Sequence, residues 1–381
     1  MYPRDGRRRP VLVALFLALL LGAVAATNLR VRGQSVANSL ADSALIARGE
    51  LLFSASFTPG QGLGPLFNHT SCSGCHFTPT KGGMGMGGLG TAMRVGRLTP
   101  TGFDPMISRG GPIARMRSVS ERGLPCDLEP GIPPGANVTS VRNAPELYGK
   151  GLIDAIKDDV IAAGAISKTD GVQGRVHWVK GVDGKARVGR FGWKADTVTL
   201  KQFVADAFRN ELGITSPLAP EDIAPANQSH HRCFGEGAGV EDDGSTIEAV
   251  TAFVASLPPP RAPIPSPRGA ALFAELGCDA CHTPNLPLRE ERLWLYSDLL
   301  LHDLGPDLDD KVTQGLASGR DWRTTPLWGL GARQRFLHDG RARTIMEAIM
   351  AHGGEATTAR QRFLRLLPQD SDALLAFLSS L

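Results

Sequence analysis

Apolar residues recur at three- and four-residue spacing in two distant stretches, "AVTAFVASL" (249–257) and "ALLAFLSSL" (373–381), which agree at five of nine positions. That spacing predicts two amphipathic helices. A second pair, "RGELLF" (48–53) and "RGAALF" (268–273), stands ahead of two similar polar stretches, "SCSGCHFTP" (71–79) and "GCDACHTPN" (277–285). The second copy reaches its first cysteine after four residues, whereas the first carries the Gly/Pro-rich insertion "SASFTPGQGLGPLFNHTS". Each half therefore reads helix, Cys-x-x-Cys-His, loops, closing helix: one module, present twice. Elsewhere the pattern changes. "GRVHWVKGVDGKARVGRFGW" (174–193) alternates and predicts a β-hairpin turning at Asp183-Gly184. "RTIMEAIMAHGG" predicts a helix from about Thr344, stopped by Gly353-Gly354, with His352 in its last turn.

Between the halves lies "PPPRAPIPSPRG" (258–269), a proline-rich stretch that should be extended and stiff. It sets the expected boundaries: a first module over 44–257, a linker over 258–267 and a second module over 268–381. A chain of 381 residues is long enough for two such domains. Gly 45, Pro 27 and only 6% aromatics point to long loops between modest helices.

The first 26 residues are of another kind. Arg4, Arg7, Arg8 and Arg9 precede an apolar run from Val11 to Ala26 that ends in small residues. This is the build of a secretory signal, with cleavage expected after Ala25 or Ala26. The run is short for a membrane span, and an uncleaved N-terminal anchor is the alternative, the only route to membrane contact. Without these residues the formal charge falls from +3 to zero. A near-neutral chain gives no reason to expect nucleic acid as a partner. No Walker-type or Rossmann glycine motif occurs in a strand–helix context either.

Four of the six cysteines, Cys72, Cys75, Cys278 and Cys281, lie in the two motifs. Cysteines spaced this way can add to the two vinyl groups of one haem, and the histidine that follows is held beneath the iron. Zinc would need further ligands, and a thioredoxin-like dithiol would need a βαβ context that is lacking. Two copies, each followed by His and preceded by a matching helix on an exported chain, predict two covalently bound haem c groups. His76 and His282 are then their proximal ligands. The fold expected is mainly α, with two cytochrome c-like haem domains and a small β insertion in the first. Cys126 and Cys233 remain, as a disulfide or as two separate thiols. For the other face of the second haem, the candidates after its motif are His302, His338, His352, Met346 and Met350.

At "RTTPLWGLGARQRFLHDGRARTIMEAIMAHGGEA" (323–356) the chain resembles the di-haem oxidoreductases, relatives of bacterial di-haem cytochrome c peroxidases and MauG. The likeness continues through "VRNAPELYGKGLIDAI" (141–156), "GRFGWKADTVTLKQFVADAFRNELGITSP" (189–217) and "YSDLLLHDLGP" (296–306), and covers roughly 44–381. In the related peroxidases, the residue fourteen places after the His of a His-Asp-Gly element ligates the second haem and is commonly Met. Here that position is His352, so the resemblance makes His352 the distal ligand and His338 a haem-packing residue. Two imidazoles favour a lower potential than His/Met. The resemblance also maps an inter-haem tryptophan onto Trp193 and a distal-pocket acid onto Glu211, although the spacing between them is two residues short. From the residues alone, a core Trp and a solvated helix-face Glu are the plainer readings. The peroxidases supply a histidine after the first motif; here "KGGMGMGGLGTAMRVG" (81–96) offers only Met84, Met86 and Met93. The first iron is then closed by one of these methionines or open to a small ligand.

The function expected is a periplasmic peroxidase-type oxidoreductase. A small redox protein would exchange electrons with it, and a small-molecule oxidant such as hydrogen peroxide would be reduced at the first haem, with Trp193 and Glu211 as catalytic residues. The alternatives are a non-catalytic electron carrier with both irons six-coordinate, and a redox or gas sensor. Calcium between the halves would agree with the wider peroxidase group, but no EF-hand-like ligand pattern is present.

Overall fold

The computed structural model describes residues 43–223, 233, 239–260 and 266–381. The expected leader (1–26) and residues 261–265 of the connector lie outside the described residues. The helices in chain order are α1 (Ser43–Ser54), α2 (Lys150–Asp154), α3 (Asp158–Ala162), α4 (Leu200–Ala207) and α5 (Ser245–Ser256), then α6 (Pro267–Glu275), α7 (Ile345–Ala351), α8 (Thr357–Phe363) and α9 (Pro368–Ser380). Among the described residues no helix is long and apolar enough to cross a membrane.

The repeat seen in the sequence is a repeat of packing. In the first half α1 lies on α5, and in the second α6 lies on α9. A glycine stands at each crossing. A Cβ on Gly49 would fall 1.9 Å from the Ala249 carbonyl oxygen, and one on Gly269 would fall 2.4 Å from that of Ala373. The phenylalanine that ends each "RG" stretch then meets its counterpart: Phe53 on Phe253 at 5.2 Å, Phe273 on Phe377 at 5.6 Å between ring centroids. The glycine is there because the partner helix backbone occupies the space a side chain would need. Gly269→Ala is expected to force α6 and α9 apart and to destabilise the protein by about 1–3 kcal/mol, read as a lower denaturation midpoint. An unchanged midpoint would mean that the crossing is slack.

Each helix pair carries its own core. One is built on Phe53, Phe57, Phe208 and Phe253, with Cys72 against its edge. The other is built on Leu272, Phe273, Tyr296 and Phe377, with Cys278 against its edge. The first core also takes Leu286, Leu288, Leu295, Leu299, Leu300 and Trp328 from beyond the connector.

The expected hairpin is present, with Trp178–Lys180 paired to Ala186–Val188 and Gly184 in the left-handed region at φ 76°. β structure is more widespread than one insertion in the first half, which corrects that part of the expected fold. Thr91–Thr99 pairs with Gly102–Asp104, Ile113–Ala114 and Val138–Asn143. In the second half Asn285–Leu288 pairs with Glu291–Trp294, and Leu301–Asp303 with Asp321–Arg323. The second half's ladders of three or four residues leave too little alternation to read from sequence. Cys126 and Cys233 are joined by a disulfide, closing the chain across a separation of 107 residues.

Candidate functional site

Both Cys-x-x-Cys-His motifs fold into a tight turn. In the first, Cys72–Gly74 is a single 3₁₀ turn capped by the Ser71 hydroxyl, which accepts from the Gly74 N–H at 3.2 Å. The Cys72 carbonyl then accepts from Cys75 (3.1 Å) and His76 (3.0 Å). In the second, Gly277 at φ 85° opens the turn Cys278–Ala280, and the Cys278 carbonyl accepts from His282 at 3.0 Å.

The two histidines are oriented alike. His76 Nδ1 lies 3.2 Å from the Gly83 carbonyl oxygen, and His282 Nδ1 lies 3.0 Å from that of Tyr296. A carbonyl can only accept, so Nδ1 carries the proton and Nε2 keeps its lone pair for a metal. Burial pushes both imidazoles down to about 4, helped at His282 by the proximity of His352, so both are neutral at pH 7. Burial also pushes the thiols of Cys72, Cys75 and Cys278 up to about 12. That is opposite to what a redox-active dithiol needs. Among the described residues no group of three or more His, Cys, Asp or Glu is arranged to hold a metal ion. Among the described residues, then, neither motif has the ligand set of a zinc site.

The second motif opens on a cleft holding about 1670 Å³ not filled by protein atoms, its mouth included. Cys278, Cys281 and His282 line it together with His352, Trp193 and His338, among apolar residues such as Phe273 and Phe336. His352 is the C-cap of α7, whose start is fixed by the Thr344 hydroxyl accepting from Glu347 N–H at 3.1 Å. Its Nδ1 donates to the Ala348 carbonyl at 2.6 Å, again reserving Nε2. The other ligand candidates are placed differently. His302 lies between two carboxylates, Asp298 at 3.1 Å and Glu355 at 2.7 Å, with Cys281 Sγ at 3.4 Å, so neither ring nitrogen is left for iron. Burial opposes its charge, but these hydrogen bonds prevail and push it up to about 12. Met346 and Met350 face solvent at 46% and 39% exposure. His338 stacks on Trp322 at 3.8 Å, a packing role, and burial with Arg142, Arg341 and Lys194 nearby pushes it down to about 2.

An apolar cleft with two cysteines, one imidazole beside them and a second imidazole on its wall fits a haem. The first motif has the same two cysteines and histidine, with the histidine oriented in the same way.

Trp193 is on the cleft wall, where its indole N–H donates to the Asn143 carbonyl at 3.0 Å and its own carbonyl accepts from Arg323 at 2.9 Å. It is thus tied to segments from both halves. Glu211 is not on a solvated helix face. It belongs to a π-helical turn, Phe208–Leu212, that extends α4, and is half-buried. Its carboxylate accepts from Asn68 Nδ2 at 2.8 Å, and its carbonyl accepts from the backbone of Asn68 and His69. Burial raises its pKa, opposed by Asn68, Arg94 and Arg115, and its charge is felt at Cys75. Glu211 therefore lies beside the first motif.

Of the three methionines named for the first haem, Met84 is buried and lines the second cleft. Met93 is in the strand Thr91–Thr99, opposite Ala114 and Val141. Sequence reasoning missed Asn68 and His69. A Cβ on Gly74 would fall 1.7 Å from His69 Cε1, so this ring sits against the attachment turn itself. Its signal was a histidine three residues before Cys72.

The chain belongs to the family described as "Di-haem oxidoreductase, putative peroxidase", whose model matches residues 136–381. Two haems are thereby implied. The match begins downstream of the first motif, so that site stands on its own residues. No curated protein matches the chain. Among solved structures, the diheme peroxidase BthA from Burkholderia thailandensis is 19% identical, over 90% of this chain and 86% of that one, at a TM-score of 0.41. A MauG-like protein associated with microbial copper homeostasis is 16% identical over 90% of each chain, at 0.42. Hydrazine synthase of Kuenenia stuttgartiensis is 15% identical over 89% and 88%, at 0.43.

Proposed function

We propose that the protein is an exported di-haem c-type oxidoreductase of peroxidase type, built as two cytochrome c-like haem domains. Cys72 and Cys75 would attach the first haem, with His76 as its proximal ligand. Cys278 and Cys281 would attach the second, held between His282 and His352. The observation that carries this reading is the cleft lined jointly by Cys278, Cys281, His282, His352 and Trp193. Haem supplies one-electron chemistry and an iron able to bind a small oxidant.

The protein's own groups do the rest. Gly83 and Tyr296 hold the tautomers of His76 and His282 through their carbonyls. Trp193, fixed at Asn143 and Arg323, stands on the cleft wall as the electron relay. Glu211, oriented by Asn68, is the acid–base that takes a proton from hydrogen peroxide and returns it to the departing oxygen, making water the leaving group. No residue assigned here calls for calcium. Electrons would come from a small redox protein. The Cys126–Cys233 disulfide supports an oxidising compartment, in keeping with a periplasmic location. Membrane contact would arise only if the N-terminal segment is retained.

Low-temperature EPR of the ferric and one-electron-reduced protein tests the reading. A high-spin signal that disappears when a small ligand is added is expected from an accessible first haem. Two low-spin haems in both states would instead define an electron carrier with no open site.

A further inference from the structure

Four buried side chains, Lys150, Arg323, Arg333 and Glu146, bring charge close to both motifs. Lys150, on α2, is 4% exposed, Arg323 6% and Glu146 7%. The Arg333 side chain is 10% exposed. Arg333 pairs with Glu146 but leaves its Nε without a partner. Among the described residues the Arg323 side chain donates to the carbonyls of Gly192 and Thr324. Asp196, which also attracts Arg323, is already taken by Arg94 and Gln314. Among the described residues the Lys150 ammonium makes no hydrogen bond and no ion pair. Three basic side chains thus face one carboxylate, and burial with Arg323 and Arg333 nearby pushes the Lys150 ammonium down to about 7. A further carboxylate is what would keep all three charged in the interior.

The location says which anion. Glu146, Arg323 and Arg333 line the cleft of the second motif. Lys150 is within electrostatic reach of these three and also of His76, on the side of the first motif. A haem c keeps two free carboxylates, its propionates, after both vinyl groups have reacted.

We propose that Lys150, together with Arg323 and Arg333, forms a carboxylate site between the two motifs that holds haem propionate. The inference rests on the two-haem reading above. The propionate can come from the haem of either motif, and the chemistry is the same. Lys150 is a positioning residue: it acts on the iron through the propionate and touches no reacting atom.

The test uses the matured protein and the variants Lys150→Met and Lys150→Arg. Haem content is counted first, by the pyridine haemochrome absorbance. Midpoint potentials are then titrated, and the propionate bending modes are followed by resonance Raman. Lys150→Met is expected to keep two haems, to lower one midpoint, because a cation that favoured the reduced state is gone, and to shift a propionate mode. The haem whose midpoint falls identifies the source of the carboxylate. Lys150→Arg is expected to retain the midpoint while still moving the mode, and it carries the test if Lys150→Met does not fold. Two haems with unchanged midpoints and unchanged modes would overturn the carboxylate site and leave the two-haem reading intact. Fewer than two haems in the unaltered protein would overturn both.

Discussion

Glu211→Gln is expected to lower kcat/KM for hydrogen peroxide by about 10²–10⁴-fold, the usual contribution of a positioned acid–base group. Haem content and ferric spectra should stay as they are. The glutamine keeps an oxygen able to accept from Asn68 Nδ2, so the local geometry survives and only the proton function is lost. The pH profile gives an independent reading. Burial raises the Glu211 pKa, so the ionised, proton-accepting form is populated only above the ordinary carboxylate range. The acid limb of kcat/KM should therefore lie above that range, and it should vanish in Glu211→Gln. The sign for stability is the reverse of the common carboxylate case. A raised folded pKa favours the neutral form, so folding loses stability as pH rises through the unfolded value. Glu211→Gln should accordingly be no less stable than the parent at neutral pH. Peroxide turnover within tenfold of the parent would reduce Glu211 to a structural acid bonded to Asn68.

His352→Ala should change the second haem from low-spin to high-spin. The side chain lost lines the same cleft as His282, and its Nε2 is set free by the Ala348 carbonyl. His352→Met should instead keep a six-coordinate iron and raise its midpoint, since sulfur ligation favours the ferrous state. EPR and potentiometry of the two variants separate these outcomes. Unaltered low-spin signals in His352→Ala would mean another ligand. His302, enclosed by Asp298 and Glu355, is poorly placed to be that ligand.

Local covalent logic and helical spacing made the attachment motifs and their flanking helices legible in the sequence. The turn of Cys-x-x-Cys-His is fixed within five residues, and α5 and α9 show their apolar period plainly. The helix from Thr344 puts His352 in a last turn, but it comes forward as a ligand only through the fourteen-residue spacing from His338 that the resemblance supplies. The repeated glycine was visible as a letter, but its reason was not, since Gly49 meets Ala249 two hundred positions away. The same separation hid the environment of Glu211. On a regular helix it would face water, but the π-helical turn and Asn68, 143 residues earlier, enclose it. Choosing among His302, His338, Met346 and Met350 needed the fold as well. Sequence gives their proximity to the motif, whereas carboxylates, a stacked indole and solvent decide what each can do.

Two adjacent residues serve the two sites. Gly83 offers its carbonyl to His76, while its neighbour Met84 faces the second cleft. Gly85 is hydrogen-bonded to Ala144, next to the Asn143 that carries Trp193. On the two-haem reading, a displacement of His76 would tug on Gly83 and shift a wall of the second cleft. A ligand arriving at one centre should then register in the line shape of the other.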